Sequence, residues 1–457
     1  MVYTDTVGGS FSEDVNESKV WKRYVVSFFV SLPFFTYGVE NDVLTATSKL
    51  GPTIENLNVP WSTVAFILSS IVAAPLHCFV INRYGRRVGI YLIVLLQGIV
   101  CVPLLIALTD ASVIIQGSIA GVATGGLFVV VPIYVREVSS DGMRGVTLAL
   151  MMLMAAAGNA MKLLLSEDSM LYLMVGFVAI ELVVVFLIPE SPGFLVMRDK
   201  LLDAQLSTAK LVCLKHDQNF VTNEVRLLKE ESDRAKSTRN LGLFNIPKHK
   251  IWRDQMKIGL LLNTTTILSG CSIFLDQDKA LAQLKTDIDP EKMLVPISLL
   301  LGGFSCVVLV NFLERKYLLT ISYSVMILSM GTLAVYTQAD LTVTSLRWVP
   351  IVALAILVIS YGVVWSLPTV ILAEMLNIEI RATAMGVIYV YSQTVRLLHT
   401  LTFQYLEDYI GIYTLLYLCA CINIFGAIYA ISMIPDIKNK SVKQIERQLR
   451  RVPILKL

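Results

Sequence analysis

The sequence predicts an all-α membrane protein whose twelve transmembrane helices form two parallel six-helix repeats. Three observations predict this fold class. Hydrophobic residues make up 55% of the 457-residue chain and charged residues only 16%, whereas a soluble domain has about 45–50% and about 25%. The apolar residues occur in long stretches, and several landmarks recur at a nearly constant offset in the two halves. Since a bilayer offers the backbone no hydrogen-bond partners, stretches of this kind are expected to be helices.

Each predicted span is a stretch of about 20 mostly apolar residues, the length that crosses a bilayer. The twelve stretches cover residues 24–45, 61–81, 88–109, 112–135, 146–165, 169–189, 256–275, 294–313, 317–337, 347–374, 382–404 and 410–434. Polar residues interrupt the stretches at 256–275 and 382–404, so these two depart most from an ideal span.

The basic residues between the spans predict the orientation, because Lys and Arg accumulate on the cytoplasmic side of a membrane protein. One side receives Arg83, Arg86, Arg87, Arg136, Arg144, Arg315, Lys316, Arg381 and the basic stretches at 190–255 and after 435. The other side receives mainly Lys49, Lys279, Lys285, Lys292 and Arg347, which acidic residues dilute. The first side is therefore expected to be cytoplasmic, and with twelve spans both termini lie there.

These spans divide the chain into five segments. They are a cytoplasmic N-terminus (1–23), an N-terminal six-helix bundle (24–189), a cytoplasmic linker (190–255), a C-terminal six-helix bundle (256–434) and a cytoplasmic tail (435–457). The linker alternates apolar and charged residues at helical spacing, which favours short amphipathic helices beneath the membrane domain. A disordered linker is the alternative.

An internal repeat relates the two halves. Glu137 precedes Arg144 by seven residues, and Glu374 precedes Arg381 by the same seven, at an offset of 237 residues (374 − 137). Two further pairs recur in the same order, Arg83 with Arg315 at an offset of 232 and Pro189 with Pro435 at an offset of 246. Parallel repeats of six helices are an architecture of secondary transporters, which bind the solute near the midplane between the halves.

Several motifs resemble those of the sugar porters of the major facilitator superfamily, and among them the insect facilitated trehalose transporters. The motifs are R-Y-G-R-R at 83–87, P-I-Y-V-R-E-V-S-S-D-G-M-R-G at 132–145, P-E-S-P-G-F-L at 189–195, E-M-L-N-I-E-I-R at 374–381 and P-D-I-K-N-K-S-V at 435–442. Gly158-Asn159 and Thr402-Phe403-Gln404 are similar to the trehalose transporters in particular. The resemblance covers nearly the whole chain and implies the major facilitator fold.

The resemblance also implies a conformational latch at the cytoplasmic ends of the helices. Its expected members are Arg83, Gly85, Arg86, Arg87, Glu137, Arg144, Glu190, Glu374 and Arg381. Hydrogen bonds between Arg and carboxylate groups are strong enough to hold two bundles together and can still be broken. The alternative is that these residues only anchor the helices at the membrane interface.

The candidate solute-binding residues are Asn159, Ser269, Gly270, Trp365, Gln393 and Arg396, of which Arg396 is unusual for the family that the chain resembles. The chain departs from the family pattern at several of them. The Ser-Gly of the seventh-span signature remains, but Thr266 and Ile267 stand where the family has two glutamines. In the tenth span Pro368 is present, whereas Thr369 replaces the family Trp. Gly193 replaces the Arg of the P-E-S-P-R motif, and Tyr317-Leu318-Leu319 replaces Gly-Arg-Arg, which predicts a weaker latch in the second half.

Ionisable residues inside predicted spans are candidates for function. Glu40 is a possible coupling residue, because proton-coupled relatives place an Asp there, but Ser118 replaces their partner Arg. This combination favours uniport over proton symport. Arg396 and His399 are three residues apart and therefore share one helix face. Arg396 is expected either to bind an anionic group of the solute or to pair with a carboxylate such as Glu40. The alternative is that Arg396 faces a water-filled cavity and has only a structural partner. Lys162 is expected to extend to the outer surface.

The leading prediction is a secondary transporter of the plasma membrane that moves a small polar solute, a sugar such as trehalose or a hexose, by alternating access. The alternatives are a transport-poor homologue that acts as a nutrient sensor and a carrier of a non-sugar solute, anionic solutes included. An enzyme is not expected, since His77, His216, His249 and His399 form no metal or triad constellation, and no phosphate-binding loop is present. No cofactor or metal is predicted. The expected partners are a small-molecule solute and the lipid bilayer. A net charge of +3 gives no support to nucleic acid binding. No obligatory protein partner is indicated.

Overall fold

The structure, a computed structural model, describes residues 21–54, 59–103, 109–216, 218–237, 249–271, 293–339 and 348–451. The first half contains α1 (Trp21–Val30), α2 (Leu32–Ser48), α3 (Trp61–Tyr84), α4 (Arg86–Val100), α5 (Asp110–Val138), α6 (Arg144–Asn159), which a 3₁₀ turn (Ala160–Leu163) extends, and α7 (Glu167–Leu187). Between the halves lie α8 (Pro192–Met197), α9 (Leu201–Val212) and α10 (Asn219–Ser237). The second half contains α11 (Lys250–Ile267), α12 (Val295–Phe312), α13 (Arg315–Gln338), α14 (Trp348–Met375), α15 (Arg381–Ile410), α16 (Ile412–Met433) and α17 (Val442–Arg451).

Within these described ranges, eight helices are long and apolar enough to cross a membrane: α3, α5, α6 with its 3₁₀ extension, α7, α12, α13, α14 and α16. Four further spans complete the twelve-helix fold. They are the pair α1 and α2, the 15-residue α4, and the charge-bearing α11 and α15. The predicted all-α fold with twelve spans is therefore confirmed. Of the five basic residues assigned to the outer loops, Lys49 lies in the described part of the chain and the other four lie outside it.

The first predicted span, 24–45, is two helices with a break at Ser31 and not one continuous helix. Pro33 lies in the first turn of α2, where its missing N–H leaves no hydrogen bond unmade. The Ser31 hydroxyl donates to the Ser27 carbonyl at 2.7 Å and so compensates part of the interruption.

The seventh and eleventh spans differ most from their predicted boundaries. The helix predicted at 256–275 begins six residues earlier, at Lys250, and ends at Ile267. Gly270 follows with a φ of +87°, which an α-helix does not accommodate. The helix predicted at 382–404 continues to Ile410 and ends at Gly411, whose φ is +77°.

Helix packing builds two bundles and the interface between them. In the first half α3 packs on α5 and α2 on α6, and in the second half α13 packs on α16 and α12 on α14. Across the interface α3 packs on α15 and α6 on α12. The contact between α2 and α6 is very close, because a Cβ at Gly38 would lie 2.1 Å from the Ala155 carbonyl oxygen. Small residues allow such approaches in membrane helices, where packing rather than the hydrophobic effect drives association.

The three helices between the halves, α8 to α10, form a small layer with its own apolar cluster of Val196, Ala204 and Val225. The Ser207 hydroxyl on α9 donates to the Glu190 carbonyl at 2.5 Å, which joins this layer to the end of α7. In the C-terminal tail, Ile445 and Leu449 of α17 are buried. These helices bring charged side chains to the inner ends of the spans.

Candidate solute site and cytoplasmic latch

A cavity of about 220 Å³ lies between the two bundles. From the first half it is lined by Tyr37, Gly38, Asn41, Asp42, Thr45, Thr124, Phe128, Ala155, Asn159 and Lys162. From the second half it is lined by Asn263, Thr266, Ile267, Val295, Leu299, Tyr361, Trp365, Pro368, Thr369, Leu372, Met385, Ile388, Tyr389, Ser392, Gln393 and Arg396. Both repeats therefore contribute to one site near the middle of the membrane domain.

Four of the six predicted solute-binding residues line this cavity, namely Asn159, Trp365, Gln393 and Arg396. Ser269 and Gly270 do not, which corrects their assignment. Because α11 ends at Ile267, these two residues lie in the turn beyond it. The Ser269 carbonyl accepts a hydrogen bond from Asn423 at 3.1 Å, and Gly270 packs against Cys419. Both residues thus join the end of α11 to α16 instead of facing the solute.

Asn263 and Thr266 provide the polar groups of α11 that face the cavity. Their spacing of three residues places both side chains on one face of the helix. Thr266 and Ile267, the two positions at which the family signature has glutamines, both line the cavity. Asn263 adds a polar group one helical turn before them.

A charged cluster occupies the side of the cavity formed by α2 and α6. Asp42 Oδ1 accepts a hydrogen bond from Asn159 Nδ2 at 2.6 Å and lies 3.3 Å from Lys162 Nζ. The contact of Gly38 with Gly158 brings the two helices close enough for this cluster to form. The ammonium group of Lys162, which is expected to extend to the outer surface, lies beside Asp42 on the cavity lining.

Aromatic rings from both bundles meet at Phe128. Its ring centroid lies 5.4 Å from Tyr37, 6.1 Å from Tyr389 and 6.4 Å from Trp365. Tyr37 and Phe128 belong to the first half and the other two rings to the second half. The group therefore provides an apolar surface for a solute and also a contact between the bundles.

The buried polar groups of the lining that make no hydrogen bond with any described residue include Thr124 Oγ1, Thr266 Oγ1 and Gln393 Oε1. The three residues are no more than 7% exposed. A buried polar atom without a partner costs about 1–3 kcal/mol. A solute with several hydroxyl groups would supply the missing partners.

Glu40, the predicted coupling residue, lies inside the first bundle and outside the cavity lining. It is 1% exposed and is buried near Gln97 and Glu181. Thr36 donates to Glu181 Oε1 at 2.6 Å in the same region. Glu40 and Arg396 therefore lie in different places, and the cavity contains Asp42 in place of Glu40. Since Asp42 is two residues further along α2, it projects from another face of the helix.

The first half of the latch is centred on Glu137, which is buried. Arg86 Nε lies 3.2 Å from Glu137 Oε2, and the Ser191 hydroxyl also donates to this oxygen. Arg86 Nη1 donates to the Ile81 carbonyl at 3.1 Å. Arg83, by contrast, is exposed and its guanidinium lies over the rings of Phe79 and Tyr84. Of the two expected latch members Arg83 and Arg86, the structure therefore places Arg86 against Glu137 and leaves Arg83 outside this contact.

Glu190 holds the start of α4. Its carboxylate accepts hydrogen bonds from the backbone N–H groups of Arg86 and Arg87 at 2.9 and 3.2 Å. A negative charge at a helix N-terminus is favourable, although burial of this side chain raises the pKa of Glu190. Gly85 has a φ of +113°, and a Cβ at this position would lie 2.3 Å from Glu190 Oε2. Arg87 donates to the Val185 carbonyl at 2.8 Å, so it ties α4 to the end of α7.

The second half repeats the buried pair. Arg315 Nε and Nη2 donate to the two oxygens of Glu374 at 3.0 and 2.7 Å, and Arg315 Nη1 donates to the Val310 carbonyl at 3.1 Å. The counterpart of Arg315 is therefore Arg86, at an offset of 229 residues (315 − 86), and not Arg83. The buried pair of the second half is intact although the Gly-Arg-Arg sequence is missing.

Arg381 connects the two halves. Its Nη1 lies 3.5 Å from Glu137 Oε1, and both side chains are no more than 2% exposed. Arg144, at the equivalent position of the first repeat, pairs instead with Asp141, which is largely exposed. Gly193 allows the halves to meet here, because a Cβ on it would lie 2.8 Å from Ile378 and 3.1 Å from Glu137. The missing Arg of the P-E-S-P-R motif therefore leaves space for Ile378.

Helix α10 joins both bundles at the helix ends that carry the expected latch residues. Glu224 forms two hydrogen bonds with Arg23, at 2.7 and 2.8 Å. Two helical turns later, Glu231 Oε1 accepts a hydrogen bond from the Ile378 backbone N–H at 3.0 Å and lies 3.8 Å from Arg381. The helix ends that carry these contacts are thus held together in this conformation.

The comparison with known proteins agrees with this geometry. The model of the family "Sugar (and other) transporter" matches residues 19–449. The chain belongs to this family. This membership confirms the prediction of a sugar porter with the major facilitator fold. It also confirms that the protein is a multi-pass membrane transporter and not an enzyme.

Individual relatives are distant but cover nearly the whole chain. The facilitated trehalose transporter Tret1 of Bombyx mori is 25% identical over 98% of this chain and 90% of its own length. The glucose transporter GlcP of Staphylococcus epidermidis is 24% identical over 94% of this chain and 97% of its own. Among solved structures, the proton:xylose symporter XylE bound to 6-bromo-6-deoxy-D-glucose superposes with a TM-score of 0.76 at 17% identity and covers 95% of this chain and 100% of its own. The human organic anion transporter MFSD10 has a TM-score of 0.61 at 12% identity, over 90% of this chain and 99% of its own.

Proposed function

We propose that this protein is a secondary transporter that moves a small polar solute, a sugar such as a hexose or trehalose, by alternating access. The cavity carries this proposal, because it lies between the two repeats and buries polar groups that lack partners in the described protein. Hydroxyl groups of a sugar would pair with Thr124, Thr266 and Gln393. The aromatic group around Phe128 would contact the less polar face of the ring. The named activities of the trehalose, glucose and xylose transporters among the similar proteins also support a sugar.

The size of the cavity favours a monosaccharide over a disaccharide. Its volume of about 220 Å³ lies below the roughly 300–1,000 Å³ of sites that bind drug-sized ligands. We therefore place hexoses ahead of trehalose as test substrates.

The latch supplies the conformational part of the mechanism. We propose that the contacts of Arg381 with Glu137 and Glu231 hold the inner ends of the bundles together and so close the cavity toward the cytoplasm. Release of these contacts would let one bundle rock against the other and open the cavity inward. We propose that the protein acts in the plasma membrane with both termini in the cytoplasm, as the distribution of Lys and Arg predicts.

We further propose uniport. Glu40 lies away from the cavity lining, so a proton bound there would not contact the solute. The test measures uptake of a sugar analogue that cells do not metabolise, so that the energy state of the cell does not affect the result. Uptake by cells in which a protonophore has collapsed the proton gradient should equal uptake by untreated cells. A strong loss of uptake would contradict uniport and favour proton symport.

Counterflow in proteoliposomes tests the transport proposal. Vesicles loaded with unlabelled glucose, xylose or trehalose should accumulate the matching labelled sugar transiently, while vesicles with a Gln393→Ala protein should do so at a reduced rate. An Arg447→Gln variant is the matched control, since Arg447 is exposed on the cytoplasmic helix α17. Absence of exchange for every solute tested would contradict a transporter and favour the nutrient sensor.

A further inference from the structure

The solute cavity differs in polarity along the length of the helices. Glu374 at the end of α14 and Arg381 at the start of α15 mark the level of the latch. The described lining residues within seven positions of either mark are Pro368, Thr369, Leu372, Met385 and Ile388. Four of these five side chains are apolar. We call this part of the cavity its latch end.

The apolar side chains of the latch end pack closely on α11. A Cβ at Gly259 would lie 2.6 Å from a methyl group of Ile388 and 2.7 Å from a methyl group of Leu372, so the glycine lets both side chains approach this helix. Leu372, Met385 and Ile388 are each no more than 5% exposed. The latch end is therefore a dry, apolar extension of the cavity.

The polar groups that would bind a sugar lie at another level. Gln393 follows Ile388 by five residues and Met385 by eight on α15, which corresponds to about 7–12 Å along the helix. The Phe128 ring, 6.1 Å from the Tyr389 ring, lies against this stretch of α15. A sugar ring whose hydroxyl groups pair with Gln393 therefore reaches the aromatic rings and leaves the latch end to a substituent.

Apolar and polar substituents differ in what they gain at the latch end. A hydroxyl group placed there would give up water and would find a side-chain partner only at Thr369 among the lining residues named for this end. An alkyl group gains affinity by leaving water, by about fourfold for each CH₂ group that is buried. The latch end therefore favours an alkyl substituent over a hydroxyl group.

We propose that the preferred solutes are short alkyl glycosides, that is, monosaccharides that carry a small alkyl group at one end. The alkyl group lies among Leu372, Met385 and Ile388, and the sugar hydroxyl groups pair with the polar groups at the level of Gln393. A short alkyl chain is also smaller than a second sugar ring, which agrees with the cavity volume of about 220 Å³. This inference rests on the proposed transport function and narrows its substrate.

The test is a series of sugars in counterflow with purified protein in vesicles. It compares glucose with the methyl, ethyl and propyl glucosides, each as both anomers, because longer alkyl glucosides act as detergents. For at least one anomer, the half-saturation concentration should fall by about fourfold with each added CH₂ group. The propyl glucoside should then be exchanged at a lower concentration than glucose.

Two variants change the latch end in opposite directions. Met385→Gln keeps an unbranched side chain of similar length but adds an amide, so it should reduce the difference between propyl glucoside and glucose. Thr369→Val removes the hydroxyl group from this end and should enlarge the difference. Met293→Gln is the matched control, because Met293 is 56% exposed and outside the cavity lining, and it should keep the wild-type ratio.

Half-saturation concentrations that do not fall with chain length for either anomer would overturn this proposal and leave sugar transport intact. A propyl glucoside that inhibits glucose exchange without being exchanged itself would also overturn it. So would a Met385→Gln protein with the same ratio as the wild type. Absence of exchange for every sugar, from protein that shows cooperative thermal unfolding, would overturn the transport proposal as well.

Discussion

Arg381 is the residue whose replacement tests the latch most directly. Its guanidinium group donates to the Leu376 carbonyl at 2.9 Å within its own half, and it lies 3.5 Å from Glu137 across the interface. Arg381→Gln keeps a donor for the local hydrogen bond and removes the charge that faces Glu137. The variant should therefore shift the protein toward conformations that are open to the cytoplasm.

The size of this shift follows from the distance. Two unit charges 3.5 Å apart attract each other by about 5 kcal/mol at an effective dielectric constant of 20. Opening lets water solvate both groups, so only part of this energy holds the latch closed. A net contribution of about 1.5–3 kcal/mol, as for hydrogen bonds to charged groups, is reasonable. The equilibrium should then move toward the open state by about 10- to 150-fold.

Cys78 provides a reporter of this opening. Its thiol donates to the Ala382 carbonyl of the other bundle at 3.3 Å, and the residue is buried at the interface of α3 and α15. In a variant that retains Cys78 and has the other six cysteines replaced by Ala, a membrane-impermeant maleimide added to inside-out vesicles reports access from the cytoplasm. Arg381→Gln should increase the rate of labelling in proportion to the open population.

Arg144→Gln is the matched control, because Arg144 occupies the equivalent position of the first repeat. It pairs with an exposed carboxylate, and such pairs contribute about 0–1 kcal/mol. The labelling rate should therefore rise by about fivefold at most. If both variants labelled Cys78 at the wild-type rate while remaining folded, the buried pair would not hold the bundles together, and the reasoning from distance and burial would fail.

Three further predictions concern packing, solute binding and the tail. Gly158→Ala should lower the melting temperature of the purified protein, because its Cβ would lie 2.1 Å from the Phe35 carbonyl oxygen and overpacking costs about 1–3 kcal/mol. Gly176→Ala is the control and should be neutral or stabilising, because the space around its Cβ is open. An equal fall in melting temperature for both variants would contradict this view of the helix contact. Trp365→Ala should raise the half-saturation concentration in counterflow by about 3- to 10-fold, the value of one aromatic contact, and an unchanged value would place the solute elsewhere. The hydrogen bond from Lys316 holds the pKa of Asp436 below its usual range, so the stabilisation of the tail is present above the ordinary carboxyl pKa and is lost as the pH falls through the lowered value. When the pH is lowered, hydrogen exchange in α17 of the wild type should therefore accelerate relative to the intrinsic exchange rate. The Asp436→Asn variant should not show this acceleration. Identical pH profiles for the two proteins would refute the link between Asp436 and the stability of α17.

The latch could be predicted largely from sequence because its residues belong to short motifs at helix ends. Glu137, Glu374 and Arg381 lie where the repeat predicts them, and their partners are close in sequence or at the same membrane level. The sequence does not separate Arg83 from Arg86, which shows the limit of this approach. Arg83 and Arg86 occur in the same five-residue motif, and only the direction of the chain at Gly85 decides which of them is buried against Glu137.

The solute site could be predicted only in part. Asn159, Trp365, Gln393 and Arg396 were among the predicted residues, and they line the cavity. Asp42 was missed although it lies two residues from Glu40. A step of two residues rotates a side chain by about 200° around the helix, so the choice between them depends on how α2 is turned against its neighbours.

The sequence by itself determined the number of spans, the duplication and the residues able to form the latch. Hydrophobicity and helical spacing are local properties, and a bilayer leaves a long apolar segment few alternatives to a helix. Only the tertiary structure decided which faces of the helices meet. It turned Lys162 inward to Asp42, moved Ser269 and Gly270 out of the cavity and placed Glu40 inside a bundle. These outcomes depend on contacts between helices that are far apart in sequence, such as Gly38 against Gly158, and no local pattern records them.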